Sequence, residues 1–372
     1  MRTIVTKLQK PIFPGARPSP VQGIVDGVSR EMSVLETNYT ECGYLLEAWN
    51  PNIHVLLIDL EFLKQLNYEI CQWDKNKHIQ IGVNKSYKNL EYSLDKNHFD
   101  VIYYTDDSEK DFLKFDIDGG RIIPRRFEAS LSGNIAIPKD NQLFYHFWKR
   151  SKLLNCANVE MNRTEFQKPV LNASTASTLI SRLRDELLDN GMFMFLTDGT
   201  LLGWYRECTI IPHTTDLDVS VFKDNYNPIY KKKVLNNESK YFKLWRSLGK
   251  EEDSLELTFI PKIERTPTID IFIMYDGIED GNLTYHYVSG VAGDGTKYKF
   301  SIPIYDPWCA AELHNHIFWV SCSPEEKLTH EYGPEWRKDH PSSVYTWNKS
   351  GKNGRIVGKF TKEEMRQYYV MY

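Results

Sequence analysis

The sequence predicts a mixed α/β protein in two domains, and three observations carry that expectation. The chain has 372 residues and a mass of 43.6 kDa, too long for one average domain and comfortable for two. From Ile53 to about Trp148, short apolar runs alternate with turn clusters, the pattern of strands. Beyond Leu171, helical spacing and strand alternation succeed one another, which is a strand, helix, strand, strand plan.

In chain order, residues 1–30 hold Pro11, Pro14, Pro18 and Pro20 among scattered glycines and read as an extended lead-in. Residues 31–155 form an N-terminal α/β accessory domain with strands at His54–Ile58, His78–Val83, Asp100–Tyr104, Phe112–Ile117 and Ile135–Ile137. The polar stretch 156–171, with Asn162 and Pro169, is the expected linker to a second domain, 172–372. There, Leu179, Ile180, Leu183, Leu187 and Leu188 set a helix over Ser174–Asn190 that Gly191 stops. Met192–Leu196 reads as a buried strand, Asp198-Gly199 as a turn and Thr200–Arg206 as a short helix. Strands are expected at Asp216–Phe222, Leu255–Phe259 and Thr268–Tyr275.

Composition is that of a globular chain: 41 % apolar, 26 % charged and 13 % aromatic. A chain of this size buries a core without needing disulfides or a metal merely to fold. Lys plus Arg number 46 against 50 for Asp plus Glu, a net charge of −4, so there is no basic footprint for nucleic acid. Lys231-Lys232-Lys233 reads as a solvated turn. The best apolar run, Val55 to Leu63, is interrupted by Asp59 and Glu61 and is far short of a membrane span. Met1 to Pro20 lacks the apolar stretch of a signal peptide, so the chain as written reads as soluble. The six cysteines are too sparse to spell a disulfide framework or a zinc pattern. Seven asparagines fit N-x-S/T (Asn38, Asn84, Asn162, Asn172, Asn237, Asn282 and Asn348). With 23 Asn and 44 Ser plus Thr, chance gives roughly three. That excess points to a lumenal or secreted history, with a membrane anchor expected upstream of this chain.

The chemistry concentrates in the second domain. Strict alternation places Asp216, Asp218 and Ser220 on one face of a strand and Leu217, Val219 and Val221 on the other. Adjacent carboxylates repel and resist desolvation, so a half-buried strand carries them readily only with a cation, and Mg2+ or Mn2+ suits oxygen ligands. Asp270, in the otherwise apolar Ile269–Tyr275, is the third candidate ligand. Asp116-Ile117-Asp118 and Asp59-Leu60-Glu61 are rival pairs; the first runs into Gly119-Gly120 and reads as a hairpin turn. What distinguishes Asp216 and Asp218 is the segment before them, Leu196 to Arg206, a strand, a tight glycine and a helix start. Such a start aims N–H groups at an anion. Gly199, Thr200 and Arg206, together with Asp198, are the candidate binders of a donor phosphate.

A phosphate cradle followed by two carboxylates on one strand and a third on a later one is the layout of the nucleotidyltransferase superfamily. The run Gly199-Thr200-x-Leu202-Gly203-Trp204-Tyr205-Arg206, with Ile211-Pro212 ahead of Asp216-x-Asp218, resembles the fukutin/LicD family. Gly249 to Phe259, Ile269 to Tyr275 and Tyr332-Gly333-x-x-Trp336 resemble it too, so the likeness runs from about Leu179 to the end. Before Asn155 it is thin. The resemblance implies a nucleotidyltransferase fold and a cation-dependent phosphotransferase. It would move an alditol phosphate, ribitol 5-phosphate foremost, from a CDP-activated donor onto an O-mannosyl glycan of a glycoprotein. The metal set would be Asp216, Asp218 and Asp270, and Gly199, Thr200 and Arg206 would hold donor phosphate. The implied location is the Golgi lumen, with other glycosyltransferases of the same pathway as partners. Asp198 and His213 depart from the family's usual residues.

Two other readings stay open. One is a nucleotide-sugar glycosyltransferase with a D-x-D metal site. The other is a catalytically degenerate glycan-binding or partner protein, against which the three intact carboxylates argue. Cys309, His314, His316 and Cys322 have zinc-binding atoms but no finger spacing, and paired cysteines are the stronger expectation. Glu251, Glu252 and Asp253 read as a solvated turn, Tyr332 and Trp336 as core aromatics, and Lys297 and Lys299 as surface lysines on a strand.

Overall fold

The computed structural model describes residues 56–58, 79–87, 99–132, 135–163, 170–263, 266–304, 308–341 and 344–372. The lead-in, the Asp59-Leu60-Glu61 pair, Asn38, Cys42 and Cys71 lie outside them. The chain divides into two compact units, Met1–Leu153 and Leu154–Tyr372. Both mix helices and sheets, an α/β chain.

In the first unit the described strands are β1 (Leu56–Ile58), β2 (Ile79–Asn84), β3 (Phe99–Thr105), β4 (Phe112–Phe115), β5 (Arg121–Pro124), β6 (Ala129–Ser132) and β7 (Ile135–Pro138). They form one sheet in the order β5-β4-β3-β2-β1-β7-β6, parallel among β1, β2 and β3 and antiparallel elsewhere. Asp116 to Gly120 turns β4 into β5, with Asp118 in the left-handed region at φ 52° and paired to Arg121. This rival acidic pair is therefore a hairpin turn. Helix α1 (Asn141–Lys149) was not expected, although Phe144, Phe147 and Trp148 fall at i, i+3, i+4 and are buried. Asp140 caps it by accepting the Leu143 N–H at 2.8 Å. A two-residue strand, β8 (Leu153–Leu154), lies where the units divide.

The second unit opens with a segment expected to be a linker, and it carries specific bonds. Ala157 and Val159 donate N–H bonds to the carbonyls of Tyr205 and Arg206, both at 2.7 Å, and Cys156 is disulfide-bonded to Cys208. Helix α2 (Ala173–Leu188) starts at Asn172, whose side chain accepts the Thr175 N–H, and buries Leu179, Ile180, Leu183 and Leu187. The strand β9 is only Phe195–Leu196, shorter than the expected five residues. It pairs with β10 (Asp216–Phe222) at two positions, while Met192 donates back to Leu187 to finish α2. Between β9 and β10 lies α3 (Asp198–Glu207).

Next come α4 (Pro228–Leu235), β11 (Phe242–Leu248), β12 (Glu256–Pro261), β13 (Thr268–Glu279), β14 (Asn282–Val291) and β15 (Thr296–Ile302). They are followed by β16 (Cys309–Leu313), β17 (His316–Val320), α5 (Pro324–Tyr332), α6 (Trp347–Ser350), β18 (Gly354–Lys359), α7 (Lys362–Tyr368) and β19 (Tyr369–Met371). A sheet of nine strands follows the path β18-β15-β14-β13-β12-β11-β19, with β10 beside β13 and β9 beside β10. The lysine triplet sits in α4 and not in a turn, because Asn227 caps Ile229 and Pro228 opens the helix. Strand β13 outruns its expected end at Tyr275 because β14 pairs with it from Tyr275↔Tyr287 to Glu279↔Asn282.

Alternation decides which face is which. Leu217, Val219 and Val221 of β10 and Ile269, Ile271 and Ile273 of β13 are buried in one cluster with Leu183 of α2 and Leu201 and Trp204 of α3. The opposite face therefore carries Asp216, Asp218 and Asp270. Helices α2 and α3 pack against the apolar side of these strands, and the acids lie on the other.

Candidate active site

Strand register, and not chain proximity, assembles the site. Asp218 of β10 lies beside Asp270 of β13, Asp270 beside Thr258 of β12, and Thr258 beside Arg246 of β11. Four strands thus set one row of side chains across the sheet, with Asp216 one pleat away on the same face. One carboxylate oxygen from each of Asp216, Asp218 and Asp270 comes within 4.8 Å of the others. The Thr214 hydroxyl fixes Asp216 by donating to its Oδ1 at 2.7 Å.

The start of α3 is stitched to this row. The Gly199 N–H donates to Asp218 Oδ2 at 3.0 Å, and the Asp218 N–H donates to Thr200 Oγ1 at 2.7 Å. A Cβ at position 199 would sit 3.0 Å from that same carboxylate oxygen, so glycine permits the close approach. The helix N-terminus therefore meets an anion as expected, but the anion is Asp218 itself. Asp198 holds φ at 44°, a left-handed conformation that aspartate tolerates better than most residues, and such strain collects at functional sites.

Arg206 corrects the sequence reading. Its side chain is 2 % exposed and lies on the far side of α3 in an ion-pair network. Nε and Nη2 donate to Glu207, Nη2 also to Asp339, and Nη1 to the carbonyls of Trp336 and Lys338. A guanidinium with all its edges engaged has no donor left for phosphate. Arg163 and His213 join the same network through Asp339. Arg206 is a structural residue.

Sequence reasoning missed four charged groups here. Arg246 donates to Glu256 Oε1 and Thr258 Oγ1, both at 2.9 Å, and stands 3.6 Å from Asp270 Oδ1. On α5, Lys327 Nζ donates to Glu331 at 2.9 Å and to Thr197 at 3.3 Å, with both residues almost wholly buried. Burial and then the nearby charge of Asp198 hold the Glu331 carboxyl well above the usual range, against the pull of Lys327. Glu256 had a signal, since Glu256-Leu257-Thr258-Phe259 alternates as strictly as β10. Lys327 and Glu331 had none, because a Lys and a Glu four residues apart on a helix ordinarily read as a solvated pair.

Six carboxylates (Asp198, Asp216, Asp218, Asp270, Glu256 and Glu331) thus face two cations, Arg246 and Lys327. Burial, then the charges of Asp216, Asp198 and Asp270, pushes Asp218 well above the usual carboxylate range, with the Gly199 N–H opposing. Burial raises Asp270 to about 6, against the pull of Thr258 and Arg246. Glu256 rises to about 8 through burial and the nearby Asp270. The ammonium of Lys327 stays above its ordinary value despite burial, because Glu331, Asp198 and Asp218 surround it.

A divalent ion fits these residues. The donors are hard carboxylate oxygens, and Asp270 Oδ1 is buried without a hydrogen-bond partner. Raised carboxylate pKa values fix the sign of the pH dependence. Folding that raises the proton affinity of Asp270 and Glu256 costs stability as pH climbs from their unfolded values through about 6 and about 8. In chelator, the melting temperature should therefore fall between pH 5 and 8. Added magnesium should restore it increasingly over pH 6 to 8 as protons are displaced. Thermal melts across that range check this, and a metal-free curve that rises with pH would contradict it.

Elsewhere the expectations resolve simply. Cys309 and Cys322 are disulfide-bonded, which removes the zinc set. His314 is the first residue of the two-residue turn between β16 and β17 and contacts Thr209, while His316 opens β17 and contacts Thr178. Asp253 pairs with Lys297 at 2.5 Å, Glu251 with Lys223 at 2.9 Å, and Lys299 lies 3.8 Å over the Tyr287 ring. Trp336 is buried in the core.

Comparison with known proteins adds two matches along the chain. Residues 41–155 match the family described as W02B3.4-like, N-terminal domain, and residues 191–320 match LicD/FKTN/FKRP, nucleotidyltransferase domain. The second match spans α3, β10, β12 and β13, and so contains Asp216, Asp218 and Asp270. The chain is 46 % identical over 338 residues to the uncharacterized protein W02B3.4 of Caenorhabditis elegans, covering 91 % of this chain and 87 % of that one. It is 37 % identical to the uncharacterized protein T07A5.1 of the same organism, covering 91 % and 89 %. Ribitol-5-phosphate transferase FKTN of Mus musculus is 28 % identical over 261 residues, covering 67 % of this chain and 53 % of that protein.

Proposed function

From the premise that this chain belongs to the fukutin/LicD family, we propose that it is a divalent-cation-dependent phosphotransferase with a nucleotidyltransferase-type catalytic unit. Its reaction moves an alditol phosphate, ribitol 5-phosphate foremost, from a CDP-activated donor to a hydroxyl of a protein-linked glycan. The observation that carries this reading is the convergence of Asp216, Asp218 and Asp270 on one sheet face, within 4.8 Å.

Asp216 and Asp218 would hold the ion, with Asp270 beside them. Bound magnesium supplies charge neutralisation at the donor's diphosphate. Gly199 and Thr200 act one step back, by holding Asp218 in place. The acceptor oxygen attacks the alditol-linked phosphorus and forms the new P–O bond. Its proton passes to Asp270, whose pKa of about 6 leaves it largely ionised near neutrality. The bond to CMP breaks, and CMP leaves with the electron pair. Arg246 keeps Asp270 oriented from the adjoining strand, and Lys327 offsets carboxylate charge at Asp198 and Asp218.

A secretory-pathway location, the Golgi lumen by analogy with the family, agrees with two disulfides and with the exposed sequon residues Asn162, Asn172, Asn237 and Asn282. Among the described residues no helix is long and apolar enough to cross a membrane. The test is mass spectrometry after incubation with magnesium, a mannose-based glycan and CDP-ribitol, CDP-glycerol, UDP-sugars or GDP-sugars in turn. CMP release with an acceptor gaining an alditol phosphate is the expected result. Sugar transfer with release of UDP or GDP would make the protein a glycosyltransferase instead.

A further inference from the structure

Oxidising chemistry and open asparagines meet in the second unit. Its four described cysteines are all paired, Cys156 with Cys208 and Cys309 with Cys322. Structural disulfides form in the compartment where the asparagines of N-x-S/T sequons receive oligosaccharide. An attached oligosaccharide is bulky and permanent, so a folded chain tolerates it where the asparagine side chain stands in solvent. The structure therefore sorts the sequons of this unit by what each amide does once the chain has folded.

Three of them have open amides. Asn172 is exposed and caps α2 through Oδ1, which accepts the Thr175 N–H at 2.9 Å. A sugar on Nδ2 leaves that acceptor in place. Asn237 is exposed in the left-handed turn after α4, at φ 62°, and Lys262 reaches its carbonyl rather than its side chain. Asn282 is exposed at the start of β14, and its Nδ2 donates locally to the Asp280 carbonyl at 3.3 Å. Asn348 is the opposite case. Its Nδ2 turns inward to the Tyr298 hydroxyl at 3.4 Å, and its Oδ1 is enclosed without a hydrogen-bond partner. A sugar on that amide would displace Tyr298. Asn162 is exposed, but the Thr164 that completes its sequon lies outside the described residues.

The open and closed sequons fall on different parts of the sheet. Leu179 and Leu183 of α2 and Tyr230 and Val234 of α4 join the core cluster on its apolar side, so Asn172 and Asn237 belong to the helical side. Asn282 pairs with Glu279 at the hairpin tip, about 30 Å along β13 from Asp270. Asn348 packs on Tyr298, which lies opposite Gly290 and shares the acidic face with His286 and Asp276.

We propose that Asn172, Asn237 and Asn282 carry N-linked oligosaccharide while Asn348 stays bare, so that the sugars clothe the helical side and the hairpin tip and leave the acidic face open. A transferase of the host cell performs the step, in which Nδ2 attacks the anomeric carbon of a lipid-diphosphate-linked oligosaccharide. A C–N bond forms, one amide proton passes to a base of that enzyme, and the C–O bond breaks with its electron pair leaving on the lipid diphosphate. The proposal needs the oxidising lumen that the disulfides indicate, and not the phosphotransferase activity.

The test is the full chain secreted from animal cells behind a cleavable signal, with its glycans released enzymatically in heavy-oxygen water. Each formerly glycosylated asparagine then appears in peptide mass spectra as a heavy-oxygen aspartate. Asn172, Asn237 and Asn282 should be marked in the wild type and Asn348 unmarked. Asn172→Asp, Asn237→Asp and Asn282→Gln should each remove one glycan from the intact mass. Aspartate keeps the N-cap at 172 and tolerates the left-handed turn at 237, so both variants should melt as the wild type does after deglycosylation. Releasing the sugars should leave the magnesium-induced rise in melting temperature unchanged. Absence of glycan from any of the three asparagines, in a chain whose disulfides have formed, would overturn the proposal. So would a glycan on Asn348 of the folded protein, or a magnesium response that changes when the sugars are released. Glycans mapped as expected on a chain that transfers nothing would support the proposal and count against the phosphotransferase reading alone.

Discussion

Replacing Asp218 by asparagine should abolish transfer and, at the same time, make the metal-free protein harder to melt. The first effect follows from position: Asp218 sits at the centre of the row, touched by the α3 start and flanked by Asp216 and Asp270. Removing a charged ligand from such a set is expected to lower turnover by about a thousandfold or more. The second effect follows from electrostatics. Folding raises the Asp218 pKa by burial and by three neighbouring carboxylates. A carboxyl whose folded pKa is raised destabilises the fold once pH passes its unfolded value, and the cost is complete above its folded value. Asparagine is nearly the same size, keeps an acceptor for the Gly199 N–H and carries no charge. In chelator at pH 7.5 the variant should therefore melt higher than wild type. With magnesium the order should reverse, because wild type gains an ion that the variant holds poorly. Calorimetry with and without magnesium checks both halves. A variant that melts lower than wild type in chelator would show that Asp218 is not held in a repulsive cluster.

Much of this arrangement was legible in the sequence because alternation and register are local facts. Asp216-x-Asp218 inside Leu-x-Val-x-Val fixes which face carries the acids, and Asp270 inside an apolar run signals the same of β13. The helix start at Gly199 was legible too, but its target was not. Sequence shows that N–H groups converge, and only the fold shows that Asp218 fills the space where a phosphate was expected. Arg246 and Lys327 stayed hidden for a different reason. Their burial depends on which strand neighbours β12 and on where α5 packs, and neither follows from residues 242–248 or 324–332 alone. In the same way the five-residue strand expected at Met192–Leu196 was right about burial, since Met192 and Met194 are 1 % exposed, and wrong about pairing. Apolar runs report burial directly, whereas hydrogen-bond partners depend on distant chain.

Arg206→Met should separate a structural arginine from a phosphate-binding one, and the structural outcome is expected. The guanidinium is buried between Glu207 and Asp339, which are themselves 5 % and 9 % exposed. Taking away one partner of a buried ion pair leaves charge without compensation, at a cost of about 3–5 kcal/mol. Arg163 also pairs with both acids, at 2.6 and 2.8 Å, so the lower end of that range applies. Two carbonyls, of Trp336 and Lys338, lose their donor as well, and these anchor the chain that follows α5. The expected fall is about 3 kcal/mol, or roughly 6–12 °C in melting temperature for a unit of this size. Arg206→Lys should recover only part of it, because an ammonium cannot reproduce the planar fork that reaches four acceptors. Assayed well below its melting temperature, the methionine variant should keep its KM for the nucleotide donor. An arginine that held donor phosphate would behave oppositely, with a large rise in donor KM and a small change in melting temperature. Melting curves and donor KM from the same preparation decide between the two.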